Sequence, residues 1–258
     1  MKRLFALIFA GLIALGVLVP AVSAQEGPPP EVLARIYHIS GKTGAGPQLE
    51  AAIAAHAKWR MDHGDPWRWD VYQVVNGDGL GDYFIYSGEH TWADFDAYSE
   101  FLLKGATHFD SVVAPHFEKV SSVITRADTK NVRWPEDPAK ARVLQLISYK
   151  IKPGRGRAFN EAVSKFHEAI VKTEWPVHYG WEYLINGGPG PEATLALPAE
   201  NWAAMKGPAK PFEAMLAEAY GEDEAKAILA GFVASFEGET SWVVVHRPDL
   251  SVTAKVVE

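Results

Sequence analysis

The chain of 258 residues contains no cysteine, which excludes a disulfide framework, a thiolate metal site and a catalytic thiol. Basic residues are in the minority, with 25 Lys and Arg against 32 Asp and Glu and a formal charge of −7. No basic stripe occurs, and the acidic residues are spread along the chain, which argues against nucleic acid as a partner. A Gly-rich phosphate loop and a Gly-x-Ser-x-Gly elbow are also missing; Gly41-Lys42-Thr43 lacks the upstream glycine spacing of a P-loop. Beyond the first 24 residues no apolar run approaches the roughly 20 residues of a spanning helix.

At the N-terminus, Lys2 and Arg3 precede an apolar run from Leu4 to Val19 and small residues ending Val22-Ser23-Ala24. This pattern predicts a signal peptide over 1–24, cleaved after Ala24 to leave Gln25 as first residue, in a periplasmic or secreted protein without a membrane anchor. Loss of Lys2 and Arg3 takes the formal charge to −9. Because the mature protein has no disulfide, its stability rests on burial of its core. The nine Trp, nine Tyr and twelve Phe supply that core, or in part a cavity for a flat or apolar ligand.

A shift of 110 residues aligns the two halves of the chain without a gap from Ala34 to Ala93. Lys42-x-Gly44-x-Gly46 falls on Lys152-x-Gly154-x-Gly156, Pro66 on Pro176, Asn76-Gly77 on Asn186-Gly187, and Trp92-Ala93 on Trp202-Ala203. Beyond Trp92 the shift becomes 121, bringing Arg126-x-Asp128 onto Arg247-x-Asp249. The second copy therefore carries about eleven extra residues in its second helical region, around Gly221-Glu222-Asp223-Glu224. Each copy reads as strand, amphipathic helix, hairpin with an Asn-Gly turn, helical region and last strand, the ferredoxin-like βαββαβ order. The expected division is an extended arm 25–33, copy one 34–128, a Pro-containing linker 129–141, copy two 142–249 and a tail 250–258.

A sheet covered by helices on one side needs a partner for its other face, and two fused copies provide one for each other. The expected fold is thus α+β, with tandem ferredoxin-like repeats forming an intrachain α/β barrel. Leu144-Gln-Leu-Ile-Ser-Tyr-Lys-Ile-Lys-Pro-Gly-Arg and the helix after it resemble the dimeric α/β-barrel superfamily, with its NIPSNAP-like and antibiotic-biosynthesis-monooxygenase-like domains. The resemblance implies a ligand cavity. The superfamily hosts haem enzymes, cofactor-free oxygenases, isomerases and domains without known activity, so fold does not select function.

The second strand of each copy separates an aromatic row from a polar one. Trp67, Trp69, Val71, Gln73 and Val75 alternate with Arg68, Asp70, Tyr72 and Val74. In copy two, Val177, Tyr179, Trp181, Tyr183 and Ile185 alternate with His178, Gly180, Glu182 and Leu184. Helices need an apolar surface, so the polar rows are expected in the barrel interior; the opposite facing would line the cavity with aromatics. His178, Glu182 and Tyr72 are then candidates for acid–base chemistry, and Arg68, Asp70, Tyr37 and Tyr149 for ligand contacts. An ion-pair network that merely closes the barrel is the competing reading.

His56 and His63, His108 and His116, and the lone His167 do not form metal-ligand spacings. The sequence requires no cofactor, and haem enters only through the resemblance. The expected protein is an exported small-molecule binder for a partly apolar or aromatic ligand; the alternative is a cofactor-free monooxygenase-like or haem-handling enzyme. Oligomeric state is not legible.

Overall fold

The computed structural model describes residues 31–137 and 140–253. The expected signal peptide, most of the arm, part of the linker and the end of the tail lie outside them. The first half comprises β1 (Leu33–Gly41), α1 (Gly46–Asp62), β2 (Asp70–Asn76), β3 (Tyr83–His90), α2 (Trp92–Val112) and β4 (Phe117–Ala127). The second comprises β5 (Val143–Ile151), α3 (Gly156–Lys172), β6 (Gly180–Asn186), β7 (Glu192–Ala199), α4 (Phe212–Tyr220), α5 (Glu222–Ser235) and β8 (Phe236–His246).

All eight strands close into one antiparallel barrel in the order β1-β3-β2-β8-β5-β7-β6-β4. Two seams join the halves within the chain. At one, Tyr72 of β2 pairs with His246 of β8; at the other, Arg126 and Ala127 of β4 pair with Tyr183 and Glu182 of β6. The Asn-Gly hairpins support both seams. Gly77 and Gly187 have φ of 110° and 94°, and a Cβ there would stand 2.7 Å from the Ser241 carbonyl and 2.3 Å from the Ser122 carbonyl. Glycine is required both by the left-handed turn and by the neighbouring strand.

Helices cover the outside of the barrel. In the first half, Leu49, Ala52 and Ile53 of α1 pack on Ile39, Val71 and Tyr83, and Ala57 and Tyr98 pack with Trp67 and Trp69. A capping box starts α2: Thr91 Oγ1 accepts from Asp94 N, and Thr91 N donates to Asp94 Oδ2 at 2.7 Å. In the second half, Phe159, Phe166, Ile170, Met215, Leu216 and Phe232 form one core with Tyr149, Trp181 and Ala193 of the sheet. The extra residues of this half resolve into a 3-10 turn, Trp202–Lys206, and two helices separated at Gly221, whose φ of 85° halts α4.

Two expectations are corrected at the strand ends. The second strands were expected to start at Trp67 and Val177, but the ladders begin at Asp70 and Gly180. Ahead of them Trp69 forms an isolated bridge with Val252 and Tyr179 one with Arg133. The segments following β8 and β4 are therefore strapped to the barrel rather than free connectors, and Leu250, Ser251 and Val252 are buried.

A polar network lies between α1 and α2. Arg60 Nε donates to Asp65 Oδ2 at 2.6 Å, the Tyr98 hydroxyl donates to the same oxygen at 3.1 Å, and Arg60 also contacts that hydroxyl. Arg60 has only donors, so His56 Nε2 accepts from it at 3.2 Å; His56 Nδ1 then carries the proton and donates to His108 Nδ1 at 3.0 Å. Burial, with Arg60 and His108 beside it, pushes the His56 pKa down to about 3. Native His56 is neutral, so its contribution to stability is present above the unfolded value of 6.5 and is lost as pH falls toward 3. We expect chemical denaturation to show a loss of a few kcal/mol, at roughly one per pH unit, over that window, and His56→Asn to flatten this part of the profile.

Candidate ligand site in the barrel lumen

Strand alternation settles which face looks inward. Val71, Trp181 and Tyr183 belong to the helix-side cores, so Asp70, Tyr72 and Glu182, on the alternate positions, face the lumen. One lumen wall is packed: Val74, Leu144 and Val244 form a core with Tyr72, Phe84, Leu146 and Trp242. On the opposite wall, Ile36, Val123, Leu184 and Ala196 are only partly buried. An eight-stranded barrel is wide enough either to be filled by side chains or to hold one small ligand.

The polar end of this lumen centres on Glu182. Its Oε1 accepts from the Tyr86 hydroxyl of β3 at 3.0 Å, a bond that runs from one half of the chain to the other. Its Oε2 is buried without a partner, as is the hydroxyl of Ser148. The register places Ser148, Thr194 and Glu182 side by side across β5, β7 and β6. Burial raises the Glu182 pKa, and the Thr125 and Tyr86 hydroxyls only partly offset it. Burial likewise raises Tyr86 and Tyr72, so both hydroxyls are held protonated.

Two glycines shape the site through space rather than backbone angle. A Cβ on Gly88 would lie 2.3 Å from the Tyr86 hydroxyl, because the Tyr86 ring leans along β3 over that residue. A Cβ on Gly180 would lie 3.3 Å from the Trp134 ring. Gly180 shares the lumen face of β6 with Glu182, so the indole of Trp134 caps this end of the barrel, with 38% of its surface exposed.

The residues singled out from sequence separate into three groups. Tyr72 and Glu182 share the lumen. Asp70 also faces inward but is already neutralised: Arg68 Nη2 donates to its Oδ1 at 2.8 Å and His246 Nε2 lies 3.2 Å from the same oxygen. Burial opposes ionisation of Asp70, yet these bonds from His246 and Arg68 prevail and its pKa is lowered. Ser251 completes an apparent Ser-His-Asp set, but it approaches His246 at Nε2, the nitrogen that meets Asp70, and its hydroxyl donates to the Arg247 carbonyl. A nucleophilic triad uses opposite nitrogens, so this is a structural clasp.

The third group lies elsewhere. His178 is exposed on the rim, where its Nδ1 donates to the Arg133 carbonyl at 3.2 Å rather than meeting Glu182. Tyr37 and Tyr149 point to the helix side, Tyr37 against Trp69 with ring centroids 5.8 Å apart and Tyr149 within the core of the second half. Tyr86, Thr125, Ser148, His246 and Trp134 were missed. Tyr86 had a readable signal, its alternation with Phe84 and Gly88 on β3; the others depend on lateral register or on a loop.

A haem would need a flat gap and an unengaged axial histidine. In the second half the layer between helices and sheet is filled by Phe159, Phe166, Met215, Leu216 and Phe232, and His167 Nδ1 is bonded to the Tyr179 hydroxyl at 2.7 Å. In the first half Trp67, Trp69 and Tyr98 fill the same layer, and His56 is engaged as described. The residues present do not fit a haem there. Among the described residues, no group of three or more His, Asp or Glu side chains is placed to hold a metal ion.

No protein-family model and no curated protein matches the chain. Solved structures do. A protein described as a candidate monooxygenase from Lactobacillus acidophilus superposes with a TM-score of 0.54 at 11% identity, covering 87% of this chain and 97% of its own. An anthrone oxidase-like protein gives 0.51 at 14% identity, covering 84% and 92%. Chlorite dismutase from Candidatus Nitrospira defluvii, in complex with imidazole, gives 0.52 at 8% identity over the same shares. The chain thus has the α/β-barrel, ferredoxin-like fold, and at these identities the likeness carries the fold alone.

Gly88→Ala should force the Tyr86 ring off Glu182 and destabilise the protein by about 1–3 kcal/mol in urea titration, while the more distant Gly105→Ala has a smaller effect. Glu182 has a raised native pKa, so its contribution is fully present below the unfolded value of 4.5 and is lost as pH rises through the native one. Glu182→Gln should therefore match the wild type near pH 4 and exceed its stability at neutral pH in chemical denaturation; equal profiles would show an ordinary, solvated carboxyl.

Proposed function

We propose that the protein binds a small molecule with an apolar body and at least one polar group inside the barrel lumen. The observation that carries this reading is the pair of lumen-facing polar atoms without partners, Glu182 Oε2 and Ser148 Oγ, with the Thr125 hydroxyl beside the carboxyl, along a wall whose apolar residues are only partly buried. Buried polar groups are normally satisfied, and a concave, mostly apolar space with a few convergent polar atoms is the usual form of a ligand site. Trp134 stands where such a ligand enters.

A second reading is favoured by the Glu182 carboxyl standing against the Tyr86 hydroxyl with its pKa raised by burial, the direction that acid–base work needs. Together with the fold shared with candidate monooxygenases, it supports cofactor-free turnover of the bound molecule. The N-terminal pattern from Lys2 to Ala24 further supports action after export. N-terminal sequencing of protein recovered from the periplasm or medium should then begin at Gln25; recovery only from the cytosol with residues 1–24 intact would refute export.

Calorimetric titration with 2-phenylethanol tests the site. We expect saturable binding that is abolished by Ala196→Phe, which fills the lumen. Binding that survives this substitution, or no binding together with no co-purified molecule in native mass spectra, would reject the lumen as a ligand site. Oxygen uptake on addition of a bound phenol would favour the enzyme reading, and retention of the phenol unchanged would favour simple binding.

A further inference from the structure

Carboxyl groups buried as deeply as Glu182 are ordinarily met by a cationic side chain or hydrogen-bonded at both oxygens. Glu182 has neither. The side chains packed around it are Tyr86 from β3, Thr125 from β4 and Thr194 from β7, with Tyr72 of β2 beside Tyr86, and none is basic. The basic side chains of the same lumen end, Arg68 and His246, both engage Asp70. Negative charge adds to the field, since Asp70 acts on Tyr72 and Glu89 acts on Tyr86. The lumen therefore presents one carboxyl with a free oxygen, a neighbouring hydroxyl and two tyrosine rings, and no counter-charge of its own.

We infer that the ligand is a small organic cation, a protonated amine on an apolar or aromatic body, whose ammonium group supplies the counter-charge that Glu182 lacks. The inference rests on the lumen being the ligand site and adds the chemical class. An ammonium offers three N–H donors and no acceptor, which suits Glu182 Oε2, and the Thr125 hydroxyl beside the carboxyl keeps lone pairs to accept from the same group. Ser148 Oγ, two strands along, remains for a second polar group on the body of the ligand. Transfer of a proton from Glu182 to a neutral amine gives the same ion pair as entry of the ammonium with loss of the carboxyl proton to solvent, so the raised pKa is compatible with either route.

Calorimetry on the full chain at pH 7.5 with near-isosteric probes decides the matter: 2-phenylethylamine, 2-phenylethanol and 3-phenylpropionate. The amine is expected to bind at least about tenfold tighter than the alcohol, and the carboxylate most weakly, as one charge-assisted hydrogen bond of about 1.5–3 kcal/mol implies. Glu182→Gln keeps the shape and removes the charge, so it should abolish the preference for the amine over the alcohol. If that variant fails to fold, Thr125→Val serves, with an expected three- to tenfold loss for the amine, roughly the value of one hydrogen bond. Alcohol binding as tight as amine binding, or amine binding indifferent to both substitutions, would overturn the cation while leaving the lumen site standing. Failure of all three probes, with Ala196→Phe without effect, would remove the site itself.

Discussion

Closure of the sheet within one chain is the constraint from which the other features follow. Each half is a four-stranded sheet with helices on one side, and its second face has no other cover. Pairing β2 with β8 and β4 with β6 turns both uncovered faces into a single interior. Polar residues deep on those faces then lose water and need a partner inside the barrel. The Tyr86–Glu182 hydrogen bond, Arg68 and His246 on Asp70, and the unpartnered Glu182 and Ser148 oxygens are outcomes of that one requirement.

The halves share their frame but not their interior. The Asn-Gly hairpins, the Gly turns before α1 and α3, and the aromatic rows under the helices repeat, because each is dictated by backbone geometry or helix packing. At equivalent lumen positions the chemistry differs: Tyr72 against Glu182, Tyr86 against Ala196, Asp70 against Gly180, and Thr125 against His246. The acid of the first half is met by Arg68 and, across the seam, by His246 of the second; the acid of the second half stands without a base, and the glycine that replaces the other acid makes room for Trp134. A symmetric barrel would have placed two identical groups across the lumen. Divergence at four positions instead leaves one end polar and one wall loosely packed.

Much of this was legible from residues alone. The repeat gave element order, and alternation along the second strands separated an aromatic row from a polar one and favoured the aromatic row on the helix side without closing the opposite facing; Val71, Trp181 and Tyr183 do pack there. Closure within the chain followed from the fused copies. What alternation could not give is lateral register. His178 lies on the same alternating row as Glu182, but β6 starts at Gly180, so His178 falls beyond the ladder and turns to the Arg133 carbonyl. Tyr37 and Tyr149 sit on the other parity of their strands, which their neighbours Ile39 and Ile151, both buried under helices, would have shown. Trp134 and Ser251 come from stretches that read as linker and tail; their positions depend on the bridges at Tyr179 and Trp69, long-range contacts without a local signature.

The fold is shared with proteins described as oxygenases and with a chlorite dismutase, yet architecture alone leaves the chemistry open. In this chain the layer between helices and sheet is closed by large side chains in both halves, and its histidines are engaged with Tyr179, Arg60 and His108. On the other side of the sheet, Glu182 Oε2 and Ser148 Oγ are buried without partners. Filling the helix-side layer with aromatics stabilises each half. A lumen of this kind has walls of hydrogen-bonded strands that resist widening, so its character is set by the side chains that line it, among them the Glu182 carboxyl, which has no cationic partner.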